Sequence, residues 1–560
     1  MHKLLVLAAA AMALVACGSS GDAPENKVPE KKTDPGVVET PGPDPERPEG
    51  SDDEPRDTPG DQTPDPGPVT TTTPVQPASP PDSLYDDGGA AAPQDPMRAV
   101  LSFAMRDADA LDAIDDPSSA QFHKFLSHAE WMDKHAPKKE DVDAVKTFLE
   151  GKGFKVPHVA TNRMLLEISG TVELFQKVFA TEVHVFHRTA PGGSNASKLL
   201  ISVVKPIVTP KEIEDKTRGV LITAPGASTT PLPEETPTKQ DSPPDPGSAL
   251  SPSNVAAHYG FDALGSQGDG ETIAVVMGAA FKRPDLRAYW KAMNITREEP
   301  EVVLVGEGPA IRATESSVDI EWSTSMAPKA KTIAYQAADV HDLSLILAFN
   351  EAVGAGKATV VTDSFAHRET NVSKAVAFQY EISARMGAAL GVTIVSPTGD
   401  SFGVDIPSTC PHVVAVGGTF LEGDRESVWT PTGAGPSHYF DRPTWQKAST
   451  NKRRMIPDVS LAAGTPYWTL HLGEWKKLGG TSFGAPVFAA MVAAINAKRV
   501  AAGKGRLGHF NPSLYATPAI QASFRDVTTG AADTTPAVAG WDAASGWGSP
   551  HASNLAASML

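Results

Sequence analysis

Ser482 lies in Gly479-Gly480-Thr481-Ser482-Phe483-Gly484-Ala485-Pro486, ahead of a small, apolar run that ends at Asn496. The two glycines allow a tight turn and a close backbone approach. Pro486 suits a first helical turn, and residues 487–495 read as a buried helix. A hydroxyl at that junction meets free backbone N–H groups and the positive end of the helix dipole. Such a place can hold a nucleophilic serine and stabilise a developing oxyanion. The same residues also fit a plain helix cap, with Thr481 or Ser482 bonding the first turn. A nucleophilic serine needs a base. The usual His backed by an Asp has no recognisable setting here, and the metal-binding His-Glu-x-x-His is absent. The chain offers Glu315 and Asp319 instead, four residues apart on a predicted helix and so stacked on one face. Two carboxylates at that spacing repel unless they share a proton. A solvated helix face is the other reading, although Val318, Ile320 and Trp322 around the pair require the helix to pack. A third acid, Asp400, follows a predicted strand in Thr398-Gly399-Asp400-Ser401.

The elements that must position these groups alternate regularly from Thr272 onward. Strands are predicted at 273–277, 302–305, 332–336, 359–363, 392–396 and 412–416. Helices are predicted at 285–293, 314–326, 343–353 and 375–390. That alternation implies an α/β unit with a doubly wound, largely parallel sheet. Ligand sites in such sheets lie beyond the carboxyl ends of the strands, so the loops after Gln336, Asp363 and Ser396 should meet.

The ends of the chain bound its setting. A net charge of -18 argues against nucleic acid as a partner. Residues 1–16 read as an export signal, with Lys3 ahead of an apolar stretch too short to span a bilayer comfortably. Leu14-Val15-Ala16-Cys17 resembles a bacterial lipobox, which implies a lipidated Cys17 and an exported lipoprotein of the cell envelope. The only other cysteine is Cys410, so lipidation of Cys17 leaves no intramolecular disulfide. Residues 17–96 are rich in Pro, Asp, Glu, Thr and Gly and read as a disordered, extended tether. Residues 97–223 combine short strands with an amphipathic helix at 138–152 and a second helix at 172–179, an α+β pattern. His123, His128 and His135 lack the spacing of a metal site and read as core or solvated residues. Residues 224–252 form a second Pro/Thr/Glu-rich linker, suited to proteolysis. The large unit is 253–560.

Two resemblances organise these parts. Residues 97–223 resemble the activation domain of sedolisin-type propeptides through Ser127-His128-Ala129-Glu130-Trp131, Asn162-Arg163-Met164-Leu165, Ser169-Gly170-Thr171 and Phe179-Ala180-Thr181-Glu182-Val183. Residues 253–560 resemble the catalytic domain of the sedolisins (serine-carboxyl peptidases, kumamolisins included). The matching phrases are Glu315-Ser-Ser-Val-Asp319, Met326-Ala327-Pro328-Lys329-Ala330-Lys331, Gly399-Asp400-Ser401, Val416-Gly417-Gly418-Thr419, Ile456-Pro457-Asp458-Val459-Ser460 and Gly480-Thr481-Ser482. The resemblance implies a ferredoxin-like propeptide, acting as inhibitor and folding aid, before a subtilisin-like catalytic domain that hydrolyses proteins or peptides. It implies Ser482 as nucleophile, Glu315 as base, Asp319 as its partner and Asp400 as oxyanion donor. It also implies one structural Ca2+, held by the Asp526 and Asp542 side chains and the Val527, Val538 and Gly540 carbonyls.

With coupled acids in place of an imidazole, the enzyme is expected to be acid-active. The order of parts predicts an anchored zymogen whose maturation in 224–252 frees the catalytic domain. A catalytically dead surface-binding lipoprotein and a subtilisin-like neutral protease are the rival expectations. The chain departs from the sedolisin pattern at Met277, where kumamolisins carry Glu, and at Thr362-Asp363-Ser364-Phe365-Ala366, where Ser-x-Ser-Trp-Gly is usual.

Overall fold

The structure is a computed structural model and describes residues 85–188, 199–223, 243 and 245–560. The export signal, Cys17, most of the tether and linker residues 224–242 lie outside the described residues. Among the described residues, the N-terminal domain has seven strands: β1 (Tyr85–Ala90), β2 (Pro96–Ser102), β3 (Lys155–Val159), β4 (Leu165–Thr171), β5 (Val183–Arg188), β6 (Leu199–Val203) and β7 (Gly219–Thr223). The order β3-β4-β2-β7, antiparallel throughout, is that of the split βαβ unit. Helices Lys139–Lys152 and Val172–Phe179 are its two crossovers. They bury Val142, Val145, Leu149, Phe175 and Phe179 in a core of their own with Leu101, Leu166 and Ile168.

Strand β1 lies inside the stretch read as tether. Residues 85–90 carry one large side chain, so composition hid the strand; backbone pairing to β5 holds it. Between β2 and helix Lys139–Lys152, short helices run over Asp112–Asp115 and His128–Lys134 with turns between them.

The catalytic unit is built on β8 (Thr272–Met277), β9 (Glu301–Leu304), β10 (Lys331–Gln336), β11 (Val360–Asp363), β12 (His367–Arg368), β13 (Thr393–Pro397), β14 (Asp405–Ile406), β15 (Val414–Glu422) and β16 (Arg425–Val428). The main sheet runs β16-β15-β13-β11-β8-β10-β9, parallel except for the β15–β16 hairpin. From β8 the chain moves toward β10 and then back to β11, so the topological switch point falls between β8 and β11. Asp363 ends β11 there, opposite Val276. The β12–β14 ribbon ties the loop after β11 to the loop carrying Asp400.

Helix Thr481–Ala501 is almost entirely buried and packs across β8, β11, β13 and β15. Pro486 lies inside this helix, not in its first turn. It cannot donate to the Ser482 carbonyl four residues back, so the helix tolerates a missing bond beside the serine. Residues 245–252, counted in the linker, are ordered: Leu250 bridges to Tyr467, and helix Pro252–His258 follows.

The propeptide sits on catalytic helices Asp342–Gly354 and Lys374–Ala389. Arg98 bridges Glu167 of its own sheet and Asp339 at 3.0 Å. The Asn162 and Asn350 amides exchange bonds of 3.1 Å. Arg385 pairs with Asp112 at 2.6 Å. No helix among the described residues is long and apolar enough to cross a membrane.

Candidate active site

Ser482 is the second residue of its helix and is half-buried. The cap position belongs to Gly480, so neither Thr481 nor Ser482 serves as a cap. Gly480 has φ 142°, and a Cβ there would lie 2.5 Å from Asp400 Oδ2. Only glycine meets both demands. The turn therefore brings Asp400 against the start of the helix. Asp400 Oδ1 accepts the Thr481 N–H and the Thr481 hydroxyl, both at 2.7 Å. Asp400 is exposed as a residue, yet protein crowds the carboxyl and pushes its pKa up, with the two Thr481 bonds opposing. A carboxyl raised in this way can hold a proton and donate it as a hydrogen bond.

Glu315 and Asp319 come from helix Thr314–Met326, which packs on the Ser482 helix. Trp322 fixes the crossing, edge-on to Tyr467 at 4.8 Å and to Phe483 at 5.9 Å. The helix is buried from Ser316 to Met326, and Asp319 is 0% exposed, so the solvated-face reading fails. Burial raises Glu315; the Asp400 charge adds to the shift, and the neighbouring Ser482 hydroxyl opposes it. The Ser482 hydroxyl opposes the shift by hydrogen bonding to the Glu315 carboxyl, whose Oε1 is buried without a partner. Asp319 is raised further, first by burial and then by Glu315, with Ser364 opposing and Asp363 adding. Neither Asp319 oxygen has a hydrogen bond of ordinary geometry; the Ser364 hydroxyl is the donor that opposes the shift. Burial with so little donor support favours a protonated carboxyl beside Glu315.

Sequence reasoning marked Asp363 only as a departure. It is fully buried, and burial pushes its pKa up to about 8; the Phe365 N–H and His367 oppose, and Glu315 adds. Met277, where a Glu was looked for, is buried at the end of β8; Asp363 brings a carboxyl from the adjacent strand. Thr481 was also missed as the residue that holds Asp400, although it precedes Ser482. The sign of the Asp363 effect is definite. A folded pKa above the unfolded value of about 4 gives stability that is complete below pH 4 and is lost as pH rises to about 8. Asp363→Asn removes that dependence. The variant's melting temperature relative to wild type should therefore be higher at pH 8 than at pH 4, measured by thermal denaturation at both.

The residues named for calcium are brought together. Asp526 Oδ2 accepts the Gly540 N–H at 2.7 Å, and Asp542 Oδ2 accepts the Val538 N–H at 2.8 Å. Asp542 is buried, its Oδ1 taking N–H bonds from Ala544 at 2.9 Å and Ser545 at 2.7 Å. Val527 is drawn in through a 3.5 Å contact between its carbonyl and the Ser545 hydroxyl. No ion pair to Asp542 occurs among the described residues. Two carboxylates held on adjoining loops are the donor type a hard divalent cation takes, although each is met here by N–H donors.

A parallel α/β sheet, a serine at a buried helix N-terminus and coupled acids beside it, under an α+β propeptide, define a peptidase zymogen. Comparison with known proteins makes the class specific. Residues 85–224 match the family described as the pro-kumamolisin activation domain. The chain is 30% identical over 490 residues to kumamolisin of Bacillus sp. (strain MN-32), across 76% of this chain and 84% of that protein. It is 24% identical over 531 residues to sedolisin of Pseudomonas sp. (strain 101), across 82% and 86%. It is 24% identical over 545 residues to tripeptidyl-peptidase 1 of Homo sapiens, across 84% and 93%. A solved Pseudomonas sedolisin complexed with pseudo-iodotyrostatin superposes with TM-score 0.50 and 23% identity, across 55% of this chain and 97% of that one. The chain belongs to the sedolisin family of serine-carboxyl peptidases, and it carries the family's propeptide.

Proposed function

We propose that this chain is the lipid-anchored zymogen of an acid-active endopeptidase that cuts peptide bonds through Ser482, Glu315 and Asp319. The observation that carries the reading is Asp319: fully buried, without a hydrogen bond of ordinary geometry to either oxygen, and raised by the charge of Glu315. Ser482 Oγ attacks the scissile carbonyl carbon while Glu315 takes its proton. Asp319 holds the shared proton and stabilises the pair as the charge moves. Protonated Asp400 and the Ser482 N–H, unpaired at the start of its helix, donate to the oxyanion. Glu315 then returns the proton to the leaving amine, and water repeats the sequence on the acyl-enzyme. The neutral-protease alternative has little support: His471 is bonded to Ser317 at 3.0 Å, and no imidazole hydrogen-bonds to Ser482 among the described residues.

Endo-action is part of this proposal, since a zymogen that removes its own propeptide makes an internal cut. With Cys17 lipidated ahead of the propeptide, a cut within 224–252 releases the catalytic domain from the cell envelope. The test is stepwise acidification of purified zymogen, wild type beside Ser482→Ala, with sequencing of new N-termini and fractionation of cells. A new terminus in 224–252 from wild type only, with the mature domain in the soluble fraction, is expected. A mature domain confined to the membrane pellet would sink the release step.

Asp526 and Asp542, with the Val527, Val538 and Gly540 carbonyls, would hold one Ca2+, which supplies a charge that cross-links the C-terminal loops. Its contribution at a hundredfold excess over Kd is about 2.7 kcal/mol. Chelation should therefore lower the melting temperature by several degrees, and Asp542→Asn should abolish the response to added calcium.

A further inference from the structure

The propeptide brings a carboxylate to two catalytic-domain histidines. Asp115 Oδ2 lies 2.7 Å from His509 Nδ1 and 3.5 Å from His412 Nε2. The three donor atoms all fall within 4.8 Å of one another. His412 stands just ahead of β15 and His509 just ahead of helix Asn511–Ala516, so both imidazoles sit on fixed scaffolding. Glu381, on helix Lys374–Ala389, meets His412 Nδ1 at 2.5 Å. A carboxylate only accepts, so this contact places the proton on Nδ1 and leaves Nε2 facing Asp115. A carboxylate behind an imidazole whose other nitrogen faces a shared point is the arrangement that orients metal-ligating histidines. The cationic Arg385 nearby is committed to Asp112 and the Ala108 carbonyl. At the edge of the cluster, His123 Nε2 is buried without a hydrogen-bond partner, and Phe125, the neighbour of its ring, seats against Gly391 and Gly508.

We propose that Asp115, His412 and His509 form a zinc-type site that clasps the propeptide to the catalytic domain. Two imidazole nitrogens and one carboxylate oxygen are a borderline donor set, suited to zinc and unlike the all-oxygen set at Asp526 and Asp542. Zinc ligands at about 2.0–2.1 Å stand roughly 3.3 Å apart in a tetrahedron. The Asp115–His412 spacing already matches, and the Asp115–His509 spacing needs to open by well under 1 Å as the proton that faces Asp115 on His509 Nδ1 moves to the partnerless Nε2. A fourth position is left for water or for His123. Neither domain holds the set alone: the catalytic domain supplies two imidazoles, and the third ligand leaves with the propeptide. Bound metal would therefore oppose propeptide departure, and loss of metal would ease it. The clasp's role rests on the zymogen reading, but metal binding itself is measured without catalysis.

The experiment uses tag-free, full-length Ser482→Ala, which cannot process itself, stripped with chelator and titrated with Zn2+ alone at pH 7. One site of micromolar affinity or tighter is expected. Asp115→Asn and His509→Gln should each weaken it at least tenfold, and the melting curve of each variant shows whether it has folded. Either variant, if folded, suffices for the comparison. On the unmutated zymogen, chelation should speed propeptide release at a fixed pH. No zinc binding by Ser482→Ala, or equal binding in Asp115→Asn and His509→Gln, overturns the proposal. Failure here leaves the peptidase reading intact, since no residue of the clasp belongs to the Ser482 cleft.

Discussion

Ser482→Ala should lower kcat/KM by about 10⁵–10⁶-fold and leave the chain as a stable, unprocessed zymogen. Removing a serine nucleophile elsewhere costs activity on that order, because base and oxyanion donors have nothing to act on once it is gone. The substitution removes one oxygen from a half-buried position at the start of a helix whose cap is Gly480, so the fold has no reason to fail. The check is paired: peptide cleavage at acidic pH, and a melting curve within a few degrees of the wild-type zymogen. An active Ser482→Ala protein would show that the helix terminus is only structural.

The second large effect is expected from Glu315→Gln. The amide matches the carboxyl in shape but cannot take the Ser482 proton, and loss of a general base removes about 10⁴-fold. A distinguishing sign lies in the residual activity. Glu315 raises the pKa of both Asp319 and Asp363 by its charge. Without that charge, both acids should ionise at lower pH, and the alkaline limb of the residual pH profile should move toward acid. A merely structural role for Glu315 would lower activity without moving that limb.

Much of the frame was legible in sequence because its signals are local. Helix Thr314–Met326 has the bounds that its sequence predicts, and so does Val172–Phe179. The loops after Asp363 and Ser396 meet as the parallel alternation requires, drawn together by the β12–β14 ribbon. What stayed hidden depends on distant partners. Strand β1 has almost no apolar content and exists through its pairing to β5. Pro486 misled because its usual place in a first turn is a statistical preference, and here the helix starts earlier, at Thr481. Asp363 stood at the end of a predicted strand, but its burial among other acids depends on the register that sets it opposite Val276. Asp115 and His509 stand nearly four hundred residues apart in the chain, so no spacing rule could join them.

The central claim is that an alcohol is activated by acids that share protons. The direct measurement is kcat/KM of the processed enzyme on a peptide substrate from pH 2 to 9. Burial raises Glu315, Asp319 and Asp400, so their protonated forms persist above the ordinary carboxylate range of about 4 and are lost as pH climbs further. The account predicts a bell with its maximum on the acid side and a fall toward neutrality as Asp400 loses its proton, the Glu315/Asp319 pair holding its own to about pH 8. A profile that rises through pH 7 to a plateau, as an imidazole base gives, would contradict it.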